Sequence, residues 1–235
     1  MKHAAFIALL VGCGGSSASD IKPTLEFAPL PQATIDRLVN AAGGTDMFDA
    51  ETQVMDQQDT TCPSVATSGD VVTITGGCTT AAGMMVSGSA VLTNTGAFET
   101  TSNPANDQVF EFDQLAFTAG STTSASYDGE FHVNLEAATY SADLTVDSFG
   151  VTVRSLLSIH CNLSSKSCDL GGSGLELIDP MVGGGAQVSG SLADTSPATG
   201  SIDLVGADQL AVTYAQGCVT TAISDGAQMQ VCGAP

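Results

Sequence analysis

The chain has no tryptophan and few aromatic residues, 5% in all. A transmembrane β-barrel marks both membrane interfaces with aromatic girdles, so this scarcity argues against one. Basic residues are scarce too: five lysines and arginines face 25 acidic residues, giving a net charge of −20. Such a surface repels phosphate backbones, which argues against nucleic acid as a partner. Anionic lipid headgroups would be repelled for the same reason. No apolar run reaches the roughly 20 residues that a membrane-spanning helix takes. The sequence also lacks a Gly-x-Ser-x-Gly elbow, a His-Glu-x-x-His zinc helix, a phosphate loop and a Cys-x-x-Cys pair. No cofactor is expected, and no residue pattern names a reaction.

What is present begins with the amino terminus. Met1-Lys2-His3 precedes an apolar run from Ala4 to Val11, and the run ends Leu10-Val11-Gly12-Cys13. One cation, a short apolar core, a small residue and then cysteine have the layout of an export leader. This stretch resembles the lipobox of bacterial lipoproteins. The resemblance implies that Cys13 carries acyl chains, that residues 1–12 are removed as a signal peptide, and that the chain is held to a bacterial envelope membrane. No Asp follows Cys13, which favours the outer membrane, on its periplasmic or its surface side. Residues 13–31 then read as the lipidated cysteine and a flexible tether, and residues 32–235 as one β-rich domain. Two or three acyl chains on one residue anchor stably where a single chain binds reversibly.

Setting Cys13 aside leaves Cys62, Cys78, Cys161, Cys168, Cys218 and Cys232. An even set in an exported chain reads as three disulfides. A three-residue loop at Ser224-Asp225-Gly226 with Gly226 left-handed places Cys218 opposite Cys232. Cys161 and Cys168 face each other across residues 163–166. Cys62 and Cys78 bracket a Gly69-Asp70 turn one residue out of register, and their pairing follows partly by elimination.

Period-two alternation covers most of the chain after Val71: residues 71–75, 84–93, 108–117, 130–137, 186–193, 200–205, 209–215, 218–223 and 227–232. The longest such pattern is odd-numbered: Phe149, Val151, Val153, Leu157, Ile159, Cys161 and Leu163, interrupted by Ser155. Asp128-Gly129 and Asp225-Gly226 read as hairpin turns. Ile35, Leu38, Val39 and Ala42 recur at helical spacing before Gly43-Gly44, predicting one helix over about residues 32–42. Residues 47–56 fit either a helix or a strand. The expectation is a mainly β domain: a single antiparallel meander of about 10–12 strands with one short N-terminal helix. It could be a sandwich, a closed barrel or a sheet curled around the helix.

Chemically suggestive residues are few. Asp46, Asp49 and Glu51 belong to an acidic run that could attract a divalent cation, although the spacing and turn glycine of an EF-hand are missing. His132, Asn134 and Glu136 share one face of a strand, and Glu111 and Asp113 share a face of its neighbour. If the two strands align, His132 and Glu136 are the candidates for acid–base work or metal binding. His160 reads as a surface residue, and Ser173 as a loop or bulge residue rather than a nucleophile. The functional expectation is a non-catalytic interaction or structural module, anchored by lipid, whose partner is an envelope protein, a polysaccharide or a lipid. The alternatives are a carrier of lipid or another hydrophobic ligand, and an envelope hydrolase.

Overall fold

The computed structural model describes residues 17–47, 49–50, 61–93, 107–120, 122–134, 137–162, 164–193, 198–224 and 226–232. Residues 1–12, Cys13, Glu51, Glu136 and Leu163 lie outside the described residues. Helix α1 spans Gln32–Ala42. The strands are β1 (Ser64–Ser68), β2 (Val71–Thr75), β3 (Cys78–Thr79), β4 (Met84–Thr93), β5 (Asp107–Ala119), β6 (Thr122–Asn134), β7 (Thr139–Ser148) and β8 (Val151–Asn162). They continue as β9 (Ser167–Asp169), β10 (Ser173–Leu177), β11 (Gly184–Ala193), β12 (Thr199–Val205), β13 (Gln209–Ala215), β14 (Cys218–Ile223) and β15 (Gln228–Cys232).

All fifteen strands belong to one antiparallel sheet that meanders in chain order. The number exceeds the ten to twelve read from alternation for two reasons. β7 and β10 went unread, and β1, β3 and β9 are too short or too polar to show a period. β9 and β10 lie end to end between β8 and β11, as one interrupted strand. Among the described residues, β1 and β15 each pair with one neighbour, so the ladder has two open edges.

Buried residues from β2 through β13 join α1 in a single core cluster. Within this core α1 packs against β8 and β10. Phe110 and Phe131 stack across β5 and β6, ring centroids 4.2 Å apart. The helix contributes Ile35, Leu38, Val39, Ala41 and Ala42 and stops at Gly43, whose N–H donates to Val39. Burying Ile35, Leu38 and Val39 stabilises by about 1.5–3 kcal/mol each.

The amino-terminal segment is ordered where a tether was expected. Ser17 and Asp20 close a capping box around a single 3-10 turn, Ala18–Asp20. Ala18 and Ile21 cover Leu156 on the outer face of β8. The strap then crosses the end of the sheet, where Thr24 and Leu25 N–H donate to Gly185 and Ala207 N–H donates to Leu25. Leu25 and Phe27 enter the core fully buried. Asp208 accepts from Phe27 and Ala28 N–H at 2.7 and 3.1 Å. Glycine is required beneath this strap. A Cβ at Gly206 would sit 2.1 Å from the Leu25 carbonyl oxygen, and one at Gly185 would sit 2.4 Å from Ile21 Cγ2. Composition marked the segment as flexible, but four apolar side chains at 18, 21, 25 and 27 had somewhere to go.

Three disulfides tie neighbouring segments: Cys62–Cys78, Cys161–Cys168 and Cys218–Cys232. The last two are directly opposite in the ladder. In the β1–β2 register, Ser64 faces Thr75, which leaves Cys62 one place out of line with Cys78.

Two local expectations do not hold. Asp128-Gly129 is no turn; it lies inside β6, opposite an irregularity in β5 between Phe112 and Leu115. There Asp128 Oδ1 accepts the Gln114 N–H, and Gly129, at φ +114°, passes so close to β7 that a Cβ would meet the Asp143 carbonyl at 2.2 Å. Phe149 is not on the buried face either. It sits in the two-residue turn between β7 and β8, 78% exposed, because the chain reverses before the alternation reaches it.

Candidate functional site

The outer faces of β5–β8 form a shallow depression of about 1170 Å³. Its floor is laid out in rows by the ladder. One row reads Glu111, Glu130, Asp143, Leu156 across β5, β6, β7 and β8. A second reads Asp128, Thr145, Arg154 and continues to Glu176 on β10. A third brings His132, Ser141 and Ser158 into line. Ser17 and Ala18 of the strap form one wall. Alternation explains the layout. Phe110, Phe131, Val133, Ala142, Leu144, Val146, Val153 and Leu157 face the core, so their neighbours in sequence face out.

Like charges directly opposite in adjacent strands repel, and Glu111, Glu130 and Asp143 are arranged that way. Arg154 offsets part of this. Its Nε and Nη2 donate to the two Asp143 carboxylate oxygens at 2.8 and 2.9 Å. The Asp143 hydrogen bonds raise the Arg154 pKa further, so this cation is permanent. His132 Nε2 stands 3.5 Å from Glu130 Oε1, with both side chains more than two-fifths exposed.

The structure brings His132 and Glu111 into one depression, as strand alignment required. Asp113 is not among the lining residues; it pairs with Ser89 of β4 beside the β5 irregularity and is exposed. Glu136 lies outside the described residues. Among the described residues no hydrogen bond joins Ser141 to His132, and no group of three His, Cys, Asp or Glu side chains is arranged to hold a metal. Ser173 is not a loop or bulge residue: it opens β10 opposite Val188, buried, with its Oγ committed. It accepts from Ser158 N–H at 2.9 Å and donates to the Ser158 carbonyl. His160 is exposed, beside Ser158.

The acidic run separates. Residues 45–47, 49 and 50 are helical. Asp46 turns inward to Arg37 of α1, while Asp49 is exposed and Glu51 lies outside the described residues. Asp46 is thus the carboxylate of a buried ion pair. Nearby Tyr127 is buried, and burial together with Asp49 and Asp46 pushes its phenol up to about 12.

Arg154, Asp143, Glu130 and Asp128 were not singled out from sequence. Asp143 lies on the strand that went unread, where Tyr140, Ala142, Leu144 and Val146 interleave with Ser141, Asp143, Thr145 and Asp147; Glu130 and Arg154 lie on patterns that were read, Asp128 was read as part of a turn, and only the register across β6, β7 and β8 brings them together. Comparison with known protein families, characterised proteins and solved structures finds no match.

Proposed function

We propose that the protein is an envelope lipoprotein, anchored through acylated Cys13 to the outer membrane of a Gram-negative cell, whose sheet serves as a non-catalytic contact surface. The observation that supports this most is the division of labour between the faces of the sheet. The inner face is taken up by α1, Leu25, Phe27 and its own side chains, whereas a carrier needs an apolar chamber. The outer face over β5–β8 is concave, polar and open. Its carboxylates, set around the single Arg154 guanidinium, suit a partner that presents basic groups, and the net charge of −20 would steer such a partner toward it. A hydrolase would need a nucleophile or an activated water at His132, and Ser141 is not hydrogen-bonded to it.

The anchor is tested with the whole chain expressed in a Gram-negative host and extracted into a detergent that phase-separates on warming. The protein enters the detergent phase, and mild alkali, which cleaves ester-linked acyl chains, returns it to water. Recovery in water from the outset overturns the reading.

A further inference from the structure

Large apolar side chains are exposed together at one end of the sheet. Phe149 is 78% exposed in the β7–β8 turn, and Met181 is 91% exposed in the β10–β11 loop, which also exposes Ile178 and Val182. The two loops are neighbours. Ile178 N–H donates to the Thr152 carbonyl at the start of β8, two residues beyond the Phe149-Gly150 turn. Contiguous exposed apolar surface of this kind marks an interaction site.

The backbone supports the same view. Phe149 has φ +51° and Gly150 φ +84°. Two positive values in a two-residue hairpin suit Asn-Gly or Gly-Gly, and a bulky aromatic residue there is strained. The two acids beside the tips are occupied by their own turns. Asp147 accepts from Gly150 N–H and the Thr152 hydroxyl, and Asp179 accepts from Met181 and Val182 N–H. These bonds hold the apolar side chains outermost.

Chain length says what can cover this rim. Ala18 lies against Gly174 of β10, and the four residues from Gly174 to Ile178 rise about 13 Å along the strand. Cys13 precedes Ser17 by four residues, which reach at most about 14 Å when extended. Extended toward the rim, these residues carry Cys13 to the level of Ile178 and Thr152, and Phe149 and Met181 project beyond that level. We infer that this rim is a second membrane contact: Phe149, Ile178, Met181 and Val182 dip into the zwitterionic bilayer surface that holds the Cys13 acyl chains. The inference rests on the acylation of Cys13 proposed above. Lipid of net zero headgroup charge is specified because a chain of net charge −20 is repelled by anionic lipid. With two points of attachment the domain stands on its rim, and the depression over β5–β8 faces sideways, open to a partner.

The chain has no tryptophan, so a single introduced one reports on its own surroundings. Full-length acylated Phe149→Trp, Met181→Trp and, as a control on edge strand β1, Val65→Trp are reconstituted in phosphatidylcholine vesicles with and without brominated acyl chains. Circular dichroism identical to that of the unsubstituted chain verifies each fold. The rim tryptophans shift their emission to the blue and lose most of it to bromine, while the Val65→Trp emission does neither. Rim tryptophans as wet as the control overturn the inference and leave the anchor intact. A blue shift without bromine quenching also overturns it, since that marks burial against protein, such as a second copy. Mass analysis of the same samples reports the anchor separately. If Cys13 is unacylated, the anchor fails, and the same quenching assay on added phosphatidylcholine vesicles still decides the rim.

Discussion

Arg37 Nη1 donates to both carboxylate oxygens of Asp46, at 2.7 and 2.8 Å, with the two side chains only 10% and 6% exposed. Arg37 Nη2 also reaches the Val146 carbonyl on β7 at 3.3 Å. The pair thus ties α1 and the helical segment after it to β7. Removing one partner strands a buried charge, which costs about 3–5 kcal/mol, whereas replacing both with apolar residues can be neutral. Asp46→Ala should lower the urea unfolding free energy by that amount. The double variant Arg37→Met/Asp46→Leu should recover most of it. Equal losses in both would show that the pair does not act as a unit.

Burial lifts the Asp46 carboxyl above its usual value, against the opposing pull of Arg37. The native state therefore binds this proton more tightly than the unfolded chain does. The contribution is fully present below the unfolded value of 3.8 and is lost as pH rises through the higher native value. The stability of the protein minus that of Asp46→Asn should accordingly decline with rising pH across this window. A difference that grows with pH would reverse the sign of the argument.

Gly206 lets Leu25 pass over the end of the sheet. Gly206→Ala forces a Cβ to within 2.1 Å of the Leu25 carbonyl, and overpacking of this kind costs about 1–3 kcal/mol. Hydrogen exchange should accelerate first at Ala207, whose N–H donates to the displaced Leu25 carbonyl. Unchanged protection there would mean that the strap is held by other contacts.

β15 is an open edge stapled by Cys218–Cys232. Replacing both cysteines by serine removes a constraint worth about 3 kcal/mol for a loop of this size. The β15 amides should lose protection while β5–β8 keep theirs. Uniform loss throughout the sheet would contradict local stapling.

Phe149 holds a left-handed conformation that Asn tolerates better. Phe149→Asn should therefore stabilise the fold by about 1 kcal/mol, while weakening binding to phosphatidylcholine vesicles about tenfold. Destabilisation would mean that the aromatic ring serves the fold.

The hairpin Cys218–Cys232 was fully legible, because its alternation, turn glycine and paired cysteines agree on one register. Helix α1 was legible for a similar reason: its apolar spacing and its stop at Gly43 coincide. Asp128-Gly129 misled because the same two residues serve a turn or a close strand crossing, and only the Asp143 carbonyl on the neighbouring strand decides between them. The depression was half legible. His132 and Glu111 follow from alternation, but Arg154 and Asp143 become partners only through the β7–β8 register. Asp46 looked like one of an acidic run open to a cation, since nothing local reveals that Arg37 of α1 pairs with it in the interior.

The central claim is that Cys13 is the acylated first residue of a sheet domain held at a membrane. The mass of the amino-terminal peptide from natively expressed protein tests it most directly. The account predicts a peptide beginning at Cys13 and carrying a diacylglycerol. A peptide beginning at Met1, or a free thiol on Cys13, would contradict it.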